Sequence, residues 1–535
     1  MAMRERVRPK APSLANWLDR AVAYVSPVAG ARRMSARASL HAAEAARERF
    51  ARIEGAEKSD TRGGKWLISR LSPDSQLELD LQTVRDRSRD LYQNDAIGGV
   101  VDSKVNHIVG TGHTAQARVR ESAEIPAAIV DRLNQSIEWL YERWAKKVDV
   151  SGQRSLWQVC RLAARHQEFD GESFTVFSDV GDADSPIPLR LQVIDPERVE
   201  TPPKEAGNPR VRLGIKTDAK GRVVSYYVRK THPGDTKQVN LEYDEIPAER
   251  MLHVFEPWFA GQSRGLPFMV RAMQRSKDAK DYDDSMILKA QVEACFTAFV
   301  EQPIASYDAA AAASTGTSAN GRPMEDLVPG TVRYLSPGEK ITFGAPTSPG
   351  NGFTGFMEWC YGRIAAAIAW PYEMVTRRWG GLSFAAGRIV LHDAKLTTQV
   401  GQKLLREMWL SRVWDRMVEE GVIVGEIDVD PSLYASHRDA INRHEWIPPR
   451  WDYALNPGEE VDADIAELSA ELATFEEKLG KRGHDLESFI AARQRERRLF
   501  AAAGLEPQLN SQPQPVQPGQ ATQDQQAPEL IGGVT

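Results

Sequence analysis

The sequence predicts an α+β protein, and three observations predict it. Five short strand-like runs follow one another in the middle of the chain with no helix between them, which excludes a doubly wound sheet. Long stretches without Gly or Pro carry helical periodicity on either side of that block. The segment from residue 265 to 421 alternates a long helix, a small β insert, a second helix, a Gly-rich break and another long helix.

In chain order, residues 1–75 are polar and Arg-rich and read as a loosely attached basic arm. A helical pattern covers 77–109, broken by Gly98-Gly99 and ended by Gly110 and Gly112. A third helix is predicted over 125–147, with Ile129, Leu133, Ile137, Leu140 and Trp144 on one face. The strands are 172–177, 189–194, 211–216, 223–229 and 251–255, and Asp218-Ala219-Lys220-Gly221 reads as a hairpin connection. After Pro267 there is no Gly or Pro until Pro303, which allows a helix of roughly 35 residues, about 50 Å long. Its middle is charged, Lys277-Asp278-Ala279-Lys280-Asp281-Tyr282-Asp283-Asp284. A variable Ala/Ser/Gly-rich segment (306–321) precedes short strands near 331–335 and 340–343. A helix over 352–370 stops at Pro371, and Trp379-Gly380-Gly381 leads into a long helix over 383–420, with Leu405, Trp409, Val413 and Met417 along one side. Further on, Asp462 is placed as the cap of a helix whose Ile465, Leu468, Leu472, Phe475 and Leu479 form a stripe, closed by Gly480. The Gln- and Pro-rich tail from 508 to 535 is expected to be disordered.

Composition narrows the function classes. Hydrophobic (41%) and charged (27%) fractions are those of an ordinary globular protein. No apolar run is long enough to span a membrane, and no signal-peptide pattern opens the chain. Glu44, Glu48, Glu54 and Glu57 argue against a transit peptide. Cys160, Cys295 and Cys360 lie far apart, which suggests neither a disulfide framework nor a zinc site. Residues 1–70 hold 15 Lys/Arg against 7 Asp/Glu, a local excess of eight that leaves −14 on the rest of a chain whose net charge is −6. A body of that sign should let nucleic acid pass rather than grip it.

Several motifs carry chemistry on paper. Gly261-Gln262-Ser263-Arg264-Gly265 is a literal GxSxG, the nucleophile elbow of hydrolases, with His392, His437 or His444 available as a base. Pro257-Trp258-Phe259-Ala260 separates it from the preceding strand, and no βα series builds the sheet a hydrolase needs, so a turn before a helix is the preferred reading. Gly110-Thr111-Gly112 follows a helix rather than a strand, which removes the dinucleotide context, and no Walker-type phosphate loop occurs. Asp278, Asp281 and Asp284 recur at three-residue steps and could hold a divalent metal; a solvated or pore-lining face, with Lys277 and Lys280 as weak phosphate contacts, is preferred. Arg377 and Arg378 beside the Gly-rich break are either phosphate-proximal or ordinary surface residues. Trp139, Trp144, Trp409 and Trp414 fall in helices and read as core or interface packing rather than base-stacking platforms. No cofactor is expected.

The stretch RDRSRDLYQNDAIGGVVDSKVNHIVGTG (85–112) resembles the opening signature of lambda-family portal proteins of tailed phages. FDGESF (169–174), LQVIDPERVETP (191–202), GIKTDAKGRVVSYYV (214–228) with HPGD after it, RMLHVFEPWFAGQSRGLPF (250–268), LSPGEKI (335–341), WCYGRIAAAIAWPYEMVT (359–376) and WIPPRWDYALNPGEEVDAD (446–464) follow in the same order. A departure lies at 382–388, where only Ser383, Ala386 and Arg388 match the family's run. The resemblance implies a portal fold: an α+β wing (76–264), a first stem helix (265–300), a β clip (301–346), a second stem helix (347–371), a channel loop (372–382), a long wing helix with a return to the wing (383–461) and a helical crown (462–507). It implies a ring of ~12 copies at one capsid vertex. Double-stranded DNA would pass through it without sequence readout. Its partners would be the terminase large subunit, major capsid or scaffold proteins, and head-completion or tail-connector proteins. The alternatives carried are a hydrolase using Ser263 and another head-tail ring component.

Overall fold

The computed structural model describes residue 24 and residues 71–122, 124–180, 185–237, 240–295, 298–301, 332–335, 352–449, 457–482 and 486–502. The chain forms two units, Met1–Ser72 and Pro73–Thr535. In the first, only Tyr24, which is helical, and residues 71–72 are described. Nearly all of the predicted arm, the 306–321 segment, the strand at 340–343 and the 508–535 tail therefore lie outside the described residues.

The second unit opens with helices α1 (Pro73–Asn94) and α2 (Gly98–Ile108). The chain turns between them at 95–97, where Asp95 Oδ1 accepts from the Ile97 amide at 2.9 Å. Gly98-Gly99 thus opens the second helix instead of breaking one long helix. Strand β1 (Thr114–Ala117) follows, then α3 (Ala127–Trp144), in which Leu133, Ile137, Leu140 and Trp144 are buried as their spacing predicts. Helix α4 (Leu156–Phe169) has no counterpart in the sequence reading; the signal for it is the capping box in which Ser155 and Gln158 satisfy each other's backbone amides.

Strands β2 (Glu172–Asp179) and β3 (Leu189–Ile194) pair antiparallel. The predicted strand over 211–216 is instead a tight hairpin, β4 (Val211–Arg212) and β5 (Ile215–Thr217), turning at Leu213 (φ 50°) and Gly214 (φ 80°). Two successive left-handed residues are the geometry of a type I′ turn, which apolar patterning across Leu213 hides. Next come β6 (Val223–Arg229), β7 (Tyr243–Pro247) and β8 (Met251–Phe255). Strand β8 joins the first sheet in the order β3-β2-β8, while β4-β5-β6-β7 form a four-stranded meander. Asp218, in the β5–β6 turn, accepts from the Lys220 and Arg222 amides, as expected of a hairpin connection.

Helix α5 (Met273–Cys295) has 23 residues, about 35 Å. The predicted 35 residues overran at both ends. Phe268–Arg271 is wound as a 3₁₀ turn, and residues Ala298–Glu301 form β9, paired parallel with β10 (Val332–Leu335). Absence of Gly and Pro permits a helix without dictating one, and Phe299-Val300 suit a strand. Helix α6 (Phe353–Ile368) ends at Ala369, whose φ is 51°. A short helix, α7 (Tyr372–Thr376), occupies the start of the predicted loop. Helix α8 (Phe384–Leu405) is capped by Ser383, whose Oγ accepts from the Ala386 amide, and runs through a π turn (Arg406–Leu410) into α9 (Ser411–Val424).

After α10 (Pro431–Ser436) and α11 (Arg438–Ile441), β11 (His444–Ile447) pairs antiparallel with β1. The stripe predicted as one helix capped by Asp462 is two helices, α12 (Pro457–Ser469) and α13 (Phe475–Lys481), followed by α14 (Leu486–Ala502). Asp462 lies within α12, the chain reverses at Glu471 (φ 57°), and Thr474 and Glu477 form a new capping box.

The two largest apolar clusters among the described residues hold the second unit together. The larger packs α3, α4 and α9 with the first sheet around Trp144, Trp409 and Trp414, each at most 1% exposed. The other joins α1 and α2 to the base of α5, to α6 and to α8 through Leu91, Val101, Met269, Ile364, Trp370 and Ala394. Trp139 is different: 56% exposed, it lies under the Arg143 guanidinium at 4.1 Å.

Candidate functional site

The charged run falls on α5, a helix whose other side packs on α6. Ala279, Met357 and Cys360 are buried between the two helices, and Tyr282 stacks on Phe353. The Lys277 ammonium pairs with Asp281 on the exposed side, and Lys280, beside the α1–α2 turn, pairs with Asp284 (3.2 Å), each one turn on. Asp278 accepts from Gln274 at 3.1 Å and faces Arg275 at 3.5 Å. The hydrogen bond to Asp281 raises the pKa of Lys277. Each carboxylate is thus engaged by a neighbour on its own helix, and Asp278, Asp281 and Asp284 do not converge on a shared point as metal ligands would.

Arg377 and Arg378 follow α7. Arg377 takes a left-handed conformation (φ 56°), and its charge lowers the pKa of His107, behind the effect of burial. Arg378 pairs with Glu358 of α6. Among the described residues no ion pair joins either arginine to the charged run on α5; what they share is the α6 helix, packed against by α5 and tied by Arg378.

The structure also gathers residues that sequence reasoning left scattered. Glu172, on β2, is fully buried. Its Oε1 pairs with Arg85 of α1 and accepts from Arg264 Nε at 2.7 Å; its Oε2 accepts from the Gly265 amide at 3.0 Å and meets His253 Nε2 of β8 at 2.8 Å. Burial, then the neighbouring Arg264 and Arg85 charges, holds His253 well below its ordinary pKa, so it is neutral and Nε2–H is the donor to Glu172. Burial pulls Arg264 down to about 9, and its remaining N–H groups donate to the carbonyls of Pro196, Val199 and Leu213. Beside this group, Arg89 donates to both oxygens of Asp170 (2.8 and 3.0 Å) and to Asp195 (2.8 Å). Burial works against the Arg89 charge, but those hydrogen bonds outweigh it and its pKa is raised.

Two glycines make this approach possible. A Cβ on Gly265 would sit 2.0 Å from the Gly171 carbonyl oxygen, and one on Gly171 (φ 86°) 2.1 Å from the backbone of Leu266. The FDGESF and SRGLP runs are therefore two halves of one backbone contact. The GxSxG motif presents Arg264, not a nucleophile. The Ser263 amide donates to Asp74 (2.8 Å) and its hydroxyl has no hydrogen-bond partner. His437 pairs with Glu124 and His444 with Ser411, so neither serves Ser263 as a base. The signal that could have revealed the cluster is the pair of carboxylates Asp170 and Glu172, placed between Phe169 and Phe174 where the chain enters a buried strand.

Among the described residues, one group has metal-ligand spacing: Asp195, Glu197 and His232. His232 Nε2 lies 3.7 Å from Asp195 Oδ2 and 3.4 Å from Glu197 Oε2. Two features oppose a metal. The Gly234 amide donates to His232 Nδ1, which leaves the ring proton on Nε2, where a metal would need the lone pair. Arg89 already supplies a cation to both carboxylates, 2.8 Å from each. These residues do not fit a metal centre.

A sequence profile described as "Phage portal protein, lambda family" matches residues 59–402. The chain is 22% identical over 460 residues to "Portal protein B" of Escherichia phage lambda, covering 79% of this chain and 84% of that protein. It is 24% identical over 389 residues to a "Probable portal protein" of Halomonas phage phiHAP-1, covering 70% and 72%. Among solved structures, a chain from "Neck of native GTA particle computed with C12 symmetry" aligns at 12% identity and a TM-score of 0.36, covering 75% of this chain and 92% of that one.

Proposed function

The chain belongs to the lambda family of phage portal proteins, a structural rather than enzymatic family, and from that premise we propose that it is one subunit of a ring of ~12 copies at a single capsid vertex. Double-stranded DNA is packaged and ejected through the ring without sequence readout. Helices α5 and α6 are the two stem helices, residues 372–382 the channel loop, and α12–α14 the crown. Lys277, Asp278, Lys280, Asp281 and Asp284 face the bore, with Arg377 and Arg378 near the passing phosphates. The terminase large subunit, capsid or scaffold proteins and head-completion or tail-connector proteins dock on the assembled ring.

The observation that carries this reading is the state of the stem. Among the described residues, Ala279, Met357 and Cys360 are buried between α5 and α6, while Ile287, Leu288 and Trp359 stand 49%, 61% and 52% exposed. Such a pair gains little by itself and gains its burial from neighbours. A bore whose acids are already paired one turn along presents near-neutral stripes, which neither trap nor strongly repel a phosphate backbone. Electron microscopy and mass measurement of the purified full-length protein test the proposal: a pierced disc of about a dozen subunits is expected, and a compact monomer at all concentrations overturns it.

A further inference from the structure

A cavity of about 170 Å³ lies where the α1–α2 turn meets α5, α6 and α7. Asp95, Ser276, Lys280, Asp283, Asp284 and Tyr361 contribute its polar wall. Lys280 is engaged with Asp284, 3.2 Å away on its own helix. Asp95 accepts from the Ile97 amide and feels the Lys280 charge without forming an ion pair among the described residues, and Asp283 has no ion-pair partner among them either. The wall therefore carries two carboxylates more than its cation balances. Ser276, 3% exposed, lines the same cavity, and its hydroxyl has no hydrogen-bond partner among the described residues. A buried hydroxyl in that state costs free energy unless something in the cavity bonds to it. The donors are all oxygens, and the volume holds several waters together with an ion.

We propose that this cavity binds one hydrated divalent cation of the Mg²⁺ class, held by Asp95 and Asp283 and hydrogen-bonded through its waters to Ser276 and Tyr361. Mg²⁺ keeps several waters and is commonly held by one or two carboxylates, which matches a roomy pocket with two uncompensated acids. Asp95 belongs to the α1–α2 turn, Ser276 and Asp283 to α5 and Tyr361 to α6. The ion ties the α1–α2 turn to the two long helices at their base, independently of whether copies form a ring.

The test is calorimetric titration of chelator-treated full-length protein with MgCl₂ in physiological monovalent salt, which screens diffuse surface binding. Saturable binding of one ion per chain is expected, with a melting temperature that rises with Mg²⁺. Asp283→Asn should weaken binding at least about tenfold, since even groups that only support a metal ligand cost 10–100-fold. Ser276→Ala should weaken it less, and Asp278→Asn, on the outward side of the same helix, should leave it unchanged. If Asp283→Asn does not fold, Asp95→Asn takes its place, because Asn keeps the acceptor for the Ile97 amide. Non-saturable heat, an isotherm unaltered in the Asp283→Asn and Asp95→Asn proteins, or equal loss in Asp278→Asn overturns the proposal.

Discussion

Glu172 and His113 show how single side chains set the stability of this unit. Glu172 lies between two guanidinium groups, so Glu172→Ala would leave Arg85 and Arg264 buried beside each other without the carboxylate that both of them contact. Losing one partner of a buried ion pair costs about 3–5 kcal/mol, and urea unfolding of the variant should show a loss of that size. Ser263→Ala, at a residue bonded among the described residues only through its amide, should change stability by about 0.5 kcal/mol or less. His113 supplies a pH dependence. Burial, with help from Arg406, pushes its pKa down to about 3, and both ring nitrogens lack hydrogen-bond partners. The folded protein keeps it neutral while the unfolded chain protonates it near pH 6.5. Its contribution is therefore fully present above about 6.5 and is lost as pH falls toward 3, by up to about 1.4 kcal/mol per pH unit. His113→Phe should flatten the decline of the urea midpoint between pH 6.5 and 5; an unchanged slope would refute this assignment.

At the scale of elements, the long α8–α9 rod is the clearest case of sequence dictating structure. Leu405, Trp409, Val413 and Met417 step by four, and all are at most 1% exposed. The π turn at Arg406–Leu410 was not legible, because one widened turn leaves the four-residue stripe intact. It sets Trp409 against β2, where Nε1 donates to Thr175 Oγ1 at 3.1 Å. Trp409→Ala should cost about 3–5 kcal/mol in chemical unfolding, whereas Trp139→Ala, at an exposed ring, should cost well under half of that. Strand positions were readable where β-branched and aromatic residues cluster, as in Val223–Arg229. They failed where a turn was built from Leu213-Gly214 without polar residues, and where the α12–α13 break interrupts a stripe whose Ile465, Leu472 and Phe475 are 55%, 78% and 66% exposed. Periodicity reports which side of a helix is apolar; it does not report whether the chain itself covers that side. The charge cluster was hidden for a related reason, since its members are separated by up to 179 residues between Arg85 and Arg264.

For the whole molecule, the order of motifs along the chain was enough to identify the family, because order survives divergence that erases individual residues. The proposed assembly makes a prediction at this scale. Ile389, Leu396 and Val400 of α8 are 71%, 52% and 58% exposed and lie along one side of the helix, opposite buried Ala394, Thr398 and Gln402. If that stripe meets a neighbouring copy, Ile389→Asp combined with Val400→Asp should shift mass photometry from rings to single subunits without lowering the urea midpoint of the subunit. Rings of unchanged size would place the contact elsewhere. Strand β1 has a different consequence. Its partner is β11, so residues 114–117 wait for residues 444–447. A polypeptide emerging from the ribosome has made both long helices before its first strand finds a mate. Chains released early therefore leave β1 without its partner strand, and in the proposed ring such fragments would be at a disadvantage in competing with finished subunits.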